Sequence, residues 1–169
     1  WMQIGGFAPR FGLHLDGLSV TMLGVITGVG FFIHLFASWY MRGESGYARF
    51  FSYMNLFVAS MILLVLGDNL VLLYLGWEGV GICSYLLIGF YYANRENGKD
   101  ALKAFTDTRV GDVFLAIGLF ILFREFGTLD IAQIVHTAPQ VLTSGSPTVI
   151  LAALMLLGGA VGKSAQLPL

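Results

Sequence analysis

The sequence has few charged residues, and this scarcity excludes water as the main solvent of the protein. Only 11% of its 169 residues are charged and 57% are hydrophobic, whereas soluble domains carry roughly 25% charged residues. The formal net charge of −1 gives no basic field that would attract nucleic acid. We therefore expect a protein that lies in the lipid bilayer and does not bind nucleic acid.

Cysteine and histidine are also scarce, which limits the cofactors that the chain can hold. The single cysteine, Cys83, lies in an apolar run and is expected to be a small packing residue. It provides neither a disulfide framework nor the Cys/His spacing of zinc or iron–sulfur sites. The residues also contain no ligand set for flavin, haem or nucleotide, so we expect no bound cofactor, no metal and no redox centre.

The two ends of the sequence are abrupt. It begins with Trp1, without a start methionine or a charged leader, and it ends at Leu169 directly after Pro168. We expect an excerpt of a longer chain that does not begin with a signal peptide.

Long apolar runs dominate what is present. A bilayer core of about 30 Å needs about 20 apolar residues per helix, and lipid tolerates only helices or closed barrels. Because the alternation of barrel strands is missing, the sequence predicts an all-α membrane protein with about five transmembrane helices in a single domain, residues 1–169. The predicted helices cover residues 18–40, 50–66, 70–92, 101–123 and 149–169, with a break in the last one near Pro168.

Basic residues set the orientation of these helices. Most of them lie on the side of the membrane that is reached after the first and third helices, namely Arg42, Arg49, Arg95, Lys99 and Lys103. The positive-inside rule places these loops in the cytoplasm. Close helix packing is indicated by two pairs of glycines at small-xxx-small spacing, Gly24 with Gly28 and Gly158 with Gly162.

Glu78 is the most informative residue because it is a carboxylate inside the third predicted helix. It lies roughly 12 Å along the helix axis from Leu70. An ionised carboxylate at that depth costs at least about 2.5 kcal/mol, so it should be protonated, paired or beside an aqueous cavity. The neighbouring glycines leave room for water or another helix. A structural contact between helices is the alternative to a functional carboxylate.

Three further charges lie in the later helices. Arg109 and Asp112 are three residues apart and share a helix face, so an ion pair would offset part of their burial cost. Taken alone, this pair is typical of a structural bridge. Lys163 closes the last apolar run, where a helix break would resemble the ion sites of transporters. An interfacial anchor lysine is the alternative.

The segments around these charges resemble one family. They are similar to the L subunits of bacterial NADH:quinone oxidoreductase (respiratory complex I), the counterpart of mitochondrial chain 5. The resemblance covers nearly the whole chain. It is carried by residues 15–19, 38–43, 75–81, 83–92, 103–105, 108–112 and 158–169.

The resemblance implies a fold and a role for the charged residues. The fold would be an antiporter-like helical bundle with inverted five-helix repeats, of which this excerpt holds most of the first. Glu78 would match the essential membrane glutamate of the family, and Lys163 the lysine on a broken helix with which it pairs. Asp112 with Arg109 would match a polar pair that affects activity.

The implied function is proton translocation, coupled to quinone reduction elsewhere in the complex. NADH, FMN, iron–sulfur clusters and quinone would be used by partner subunits, and the chain would contact other membrane subunits, lipid and protons. The location would be the bacterial inner (plasma) membrane, crossed several times. The alternative is the large subunit of a multisubunit Na⁺/H⁺ antiporter, driven by an ion gradient. A purely structural scaffold would leave the buried charges without purpose.

Overall fold

The fold is helical throughout the part of the chain that the computed structural model describes, residues 8–142 and 145–167. This part contains six helices and, outside them, two isolated β-bridges. The helices are α1 (Gly17–Tyr40), α2 (Tyr47–Leu66), α3 (Leu70–Ile88), α4 (Arg95–Phe126), α5 (Ile131–Val141) and α6 (Pro147–Lys163). The prediction of an all-α membrane protein is confirmed.

The described residues divide into two compact units. The first unit consists of Leu13–Gly67 and Leu75–Phe105, and therefore contains α1, α2, most of α3 and the start of α4. The second unit consists of the residues before Leu13, Asp68–Tyr74 and the residues from Thr106 on. The assignment of residues 1–169 to a single domain stays a prediction.

Three of the described helices, α1, α2 and α3, are long and apolar enough to cross a bilayer. In the most apolar 18-residue stretch of α1, only 6% of the residues are buried inside the protein. Nearly the whole surface of this helix therefore suits an apolar environment. The other two predicted transmembrane segments form helices with different properties. At 32 residues α4 is long enough but carries charges such as Arg109 and Asp112, and α6, at 17 residues, is shorter than the usual span.

The connection between α3 and α4 differs from the predicted bounds. The sequence predicts an end of α3 at residue 92 and a start of α4 at residue 101, but α3 ends at Ile88 and α4 begins at Arg95. Asn94 explains the early start, because its Oδ1 accepts from the backbone N–H of Glu96 at 3.1 Å and so caps the first turn. The helix thus begins at a polar cap rather than at the apolar run.

The end of α6 also comes earlier than predicted, at Lys163 instead of residue 169. Ala165 adopts a left-handed backbone conformation with φ of 48°. The N–H of Gln166 donates to the carbonyl of Val161 at 3.1 Å, which is the pattern of a Schellman motif. This motif ends the helix, while the predicted break near Pro168 lies outside the described residues.

The α4–α6 contact in the second unit is made by glycines. A Cβ atom on Gly111 would lie 2.9 Å from the Cα of Gly162, and one on Gly159 would lie 2.8 Å from the Cβ of Leu115. The two helix backbones approach too closely for larger residues there, as small-xxx-small packing requires.

The two predicted glycine pairs have different outcomes. Gly158 packs against the ring of Phe114 with its partner Gly162 against α4, so this pair does form a helix contact. A Cβ on Gly24 or Gly28 would meet no atom within 4 Å among the described residues. The spacing alone therefore did not distinguish a packed pair from an exposed one.

Asn69 joins the non-helical segments of the second unit. Its side chain is buried, and its Oδ1 accepts from the N–H groups of Val71 and Leu72, both at 3.1 Å, which caps α3. Its Nδ2 donates to the carbonyl of Arg10 at 2.8 Å. The start of α3 is thereby tied to the segment that precedes α1.

Asp130 connects the start of α5 to the same segment before α1. Its Oδ1 accepts from the N–H of Gln133 at 3.0 Å as the N-cap of α5, and its Oδ2 forms an ion pair with Arg10 at 2.8 Å. The hydrogen bond from the Gln133 backbone is the largest cause that lowers the pKa of Asp130 below 3.8, and Arg10 adds to it.

Replacing Gly111 by alanine is expected to lower the stability of the full-length protein by about 1–3 kcal/mol, because the new methyl group would push α4 away from α6. Gly98→Ala is the matched control in the same helix, since a Cβ there meets nothing within 4 Å. It should leave stability unchanged or raised. The thermal melting temperature of the solubilised protein measures both, and an equal effect of the two changes would contradict the tight contact.

Two substitutions of Asp130, to asparagine and to alanine, should distinguish the contribution of the helix cap to stability from that of the ion pair with Arg10. Asparagine keeps the cap and loses a surface pair worth about 0.2–1 kcal/mol, whereas alanine should cost roughly 1 kcal/mol more. Because the pKa of Asp130 is lowered on folding, its ionised form stabilises the fold above pH 3.8, and this contribution is lost as the pH falls further. The rate of hydrogen exchange of the α5 amides at neutral and acidic pH measures this contribution of Asp130 to stability. An unchanged acid response in Asp130→Asn would argue against the assignment.

Candidate functional site

Glu78 lies on α3 in the first unit, next to the closest approach of α2. A Cβ on Gly76 would lie 2.5 Å from the backbone nitrogen of Leu64, and one on Gly79 would lie 2.5 Å from the Oγ of Ser60. Glu78 itself is partly buried. The helix that the flanking glycines were predicted to admit is therefore α2.

Arg109 and Asp112 form an ion pair on α4 in the second unit. The distance from Arg109 Nη1 to Asp112 Oδ2 is 3.4 Å, with side-chain exposures of 31% and 3%. The spacing of three residues places both groups on one face of the helix, as the sequence predicted. A carboxylate this deeply buried requires nearby positive charge or hydrogen-bond donors.

Lys163 is the last residue of α6 and is partly buried. It lies within electrostatic range of Asp112 and Arg109. The glycine contact explains this proximity, because Gly111 and Gly162 are the chain neighbours of Asp112 and Lys163. A cation in the last turn also complements the negative end of the helix dipole.

Tyr74 joins this group and was missed by the sequence reasoning. It belongs to the second unit and interacts electrostatically with Asp112 and Arg109. A signal was available, since a tyrosine inside a predicted transmembrane helix, four residues before Glu78, brings a polar hydroxyl into an apolar run. A phenol can donate or accept a hydrogen bond without carrying a charge.

The second unit thus brings together the predicted site residues Arg109, Asp112 and Lys163 and adds Tyr74. Glu78 belongs to the first unit, and its pairing with Lys163 stays a prediction. The arrangement combines one carboxylate, one ammonium and a guanidinium that never releases its proton, which suits charge compensation and proton exchange. In the described part of the chain, His, Cys, Asp and Glu side chains form no group of three that could hold a metal.

Two family models match the sequence. The model described as "NADH:quinone oxidoreductase/Mrp antiporter, TM" matches residues 67–169, which include all four predicted site residues. The model described as "NADH-Ubiquinone oxidoreductase (complex I), chain 5 N-terminus" matches residues 1–51. Together they account for most of the chain.

Individual relatives agree with these models. The chain is 71% identical to NADH-quinone oxidoreductase subunit L of Pseudomonas aeruginosa and 66% identical to that of Escherichia coli, over 169 residues in each case. It is 40% identical to NADH-ubiquinone oxidoreductase chain 5 of the fungus Cryptococcus neoformans. Each match covers 100% of this chain but only 28%, 28% and 25% of the relative, so the chain spans little more than a quarter of their length.

The resemblance seen in the sequence is therefore confirmed. Because the transmembrane model covers more than half of the chain and includes the helices that carry the buried charges, the protein belongs to the NADH:quinone oxidoreductase/Mrp antiporter transmembrane family.

Proposed function

We propose that the chain is part of a proton-translocating membrane subunit of NADH:quinone oxidoreductase. The observation that carries this proposal is the cluster of Arg109, Asp112 and Lys163 between α4 and α6, in a chain whose relatives are named for that complex. Charged groups in membrane helices are expensive and mark ion or proton pathways by default. A scaffold would gain nothing from them.

Movement of a carboxylate relative to Lys163 would be enough to load and release a proton. A carboxylate that approaches an ammonium favours its protonated form, and one that withdraws favours proton release. Two unit charges 4 Å apart interact by about 4 kcal/mol at an effective dielectric constant of 20. Since about 1.4 kcal/mol corresponds to a tenfold change in an equilibrium constant, this interaction can shift proton occupancy by roughly a thousandfold.

Glu78 is the carboxylate that we assign to this movement. Asp112 is held beside Arg109 on the same helix and provides a fixed charge. Glu78 lies on α3, where the flanking glycines let α2 approach closely. The guanidinium of Arg109, 3.4 Å from Asp112, balances that carboxylate while Lys163 and Glu78 exchange protons.

The remaining parts of the proposal concern the complex in which the chain would act. Quinone reduction elsewhere in the complex would drive the opening and closing of the Glu78–Lys163 pair, and NADH, FMN, iron–sulfur clusters and quinone would be bound by partner subunits. The location would be the inner membrane of a bacterium. The family description also includes Mrp antiporters, but the names of the relatives favour the oxidoreductase.

Glu78→Gln in the full-length protein is expected to abolish most NADH-driven proton uptake into inverted membrane vesicles, because the amide cannot carry the compensating charge. Glu96→Gln is the matched control, since Glu96 is an exposed glutamate at the start of α4 that pairs with Lys99. It should pump normally. The readout is the ratio of protons taken up to NADH oxidised.

Two results would contradict the proposal. One is a normal ratio in Glu78→Gln, which would remove the carboxylate from the path. The other is that NADH drives nothing in either protein while a sodium gradient moves protons, which would replace the oxidoreductase with the antiporter.

A double-mutant cycle should detect the coupling of Arg109 and Asp112. Arg109→Gln leaves Asp112 buried without its ion-pair partner and should destabilise the protein by about 1–3 kcal/mol, because Arg109 is partly exposed. Adding Asp112→Asn should recover part of that loss. Melting temperatures of the three variants give the coupling, and purely additive losses would show that the pair does not hold α4 in place.

A further inference from the structure

Arg49 occupies an unusual position in the first turn of α2. Its guanidinium carbon lies 5.2 Å from the centroid of the Phe90 ring and 4.8 Å from that of the Tyr92 ring. All three residues belong to the first unit. The contacts connect the start of α2 with the loop between α3 and α4, so the two basic loops lie at the same end of this unit.

The guanidinium carbon lies over the rings of Phe90 and Tyr92, and an aromatic ring does not take up the in-plane donors of a guanidinium as a carboxylate does. A guanidinium carries five N–H donors in its own plane, and they match the two oxygens of a phosphate or carboxylate. Some other cations of the described residues pair with carboxylates, as Arg10 does with Asp130 and Lys99 with Glu96. Among the described residues no acceptor receives a hydrogen bond or ion pair from Arg49.

A cavity of about 210 Å³ lies beside this group. Its lining includes Arg49, Phe90 and Tyr92 together with Tyr53 and Tyr85, whose phenols can donate hydrogen bonds. A water molecule occupies about 30 Å³ in the liquid, so the cavity has room for a larger polar group. The lining combines a cation, hydroxyl groups and aromatic rings, which suits an anion attached to an apolar body.

Gly46 makes the position of Arg49 possible. Its φ of +92° lies in the left-handed region, and a Cβ atom there would lie 2.8 Å from Arg49 Nη2. A side chain at residue 46 would therefore displace the guanidinium. Glycine at this N-cap adopts the left-handed backbone conformation without strain and leaves room for the guanidinium of Arg49.

The location of the cavity indicates the source of its anion. The start of α2, the end of α3 and the connection to α4 line it, at the end of the first unit where the positive-inside rule places the excess of basic residues in the cytoplasm. Tyr92 is 71% exposed, as expected of an aromatic residue at the level of the headgroups. Anionic headgroups are concentrated in this plane.

We propose that the cavity binds the phosphate of an anionic phospholipid of the cytoplasmic leaflet. The guanidinium edges of Arg49 bind two phosphate oxygens, while Phe90 and Tyr92 hold its plane. The apolar helix surfaces of the first unit, among which α1 is largely exposed, contact the acyl chains. This site is independent of the proton pathway proposed above.

Lipid retention by the purified full-length complex tests the site. The complex is equilibrated with vesicles of phosphatidylglycerol and phosphatidylcholine, solubilised, washed in buffer containing inorganic phosphate, and analysed by native mass spectrometry. Arg49→Gln should retain at least about tenfold less phosphatidylglycerol than the wild type, because a charge-assisted hydrogen bond is lost. Arg42→Gln, which removes an exposed arginine of the same loop, should retain it normally.

Tyr92→Leu provides a second variant if Arg49→Gln fails to assemble, and it should also lower retention because the guanidinium loses one of its rings. Equal retention in the wild type and these variants would overturn the proposal. Equal losses in Arg42→Gln and Arg49→Gln would show diffuse attraction instead. Displacement by inorganic phosphate would identify a soluble anion, and loss of a partner subunit without loss of lipid would identify a protein carboxylate.

Discussion

The cost of placing charge in an apolar medium is the constraint on which the rest of this structure depends. Each buried charge is found beside a place where two helices come unusually close. Gly111 and Gly162 allow the contact next to Asp112 and Lys163, and Gly76 allows the approach of α2 next to Glu78. Close backbones exclude lipid, and in the second unit the close contact of α4 and α6 also brings opposite charges within range.

The same constraint acts on the polar backbone at helix ends, where N–H and C=O groups lack partners within the helix. Asn69 caps α3, Asn94 caps α4 and Asp130 caps α5, each with a short polar side chain. Two of these residues also bind elsewhere, since Asn69 and Asp130 both contact Arg10. The ends of the helices are therefore also the points where the segments of the second unit are joined.

Much of the fold could be predicted because a long apolar run indicates directly that a helix lies in lipid rather than in water. The Arg109–Asp112 pair was predictable for a similar reason, since a spacing of three residues fixes a shared helix face. The start of α4 at Arg95 and the end of α6 at Lys163 were not, because the Asn94 cap is a single polar contact and the end of α6 depends on the backbone conformation of Ala165. Tyr74 was missed because a tyrosine in an apolar run is usually a packing residue, and only the tertiary contacts of α4 show its charged neighbours.

The backbone of Ala165 has a consequence for the length of α6. A residue other than glycine pays roughly 1–2 kcal/mol for the left-handed conformation, which is close to the net value of one hydrogen bond. The hydrogen bond from the N–H of Gln166 to the carbonyl of Val161 offsets this cost. A change in helix length by one residue would alter the distance between the lysine and the negative end of the helix dipole. The left-handed residue that follows α6 therefore fixes how far Lys163 lies from that end of the helix.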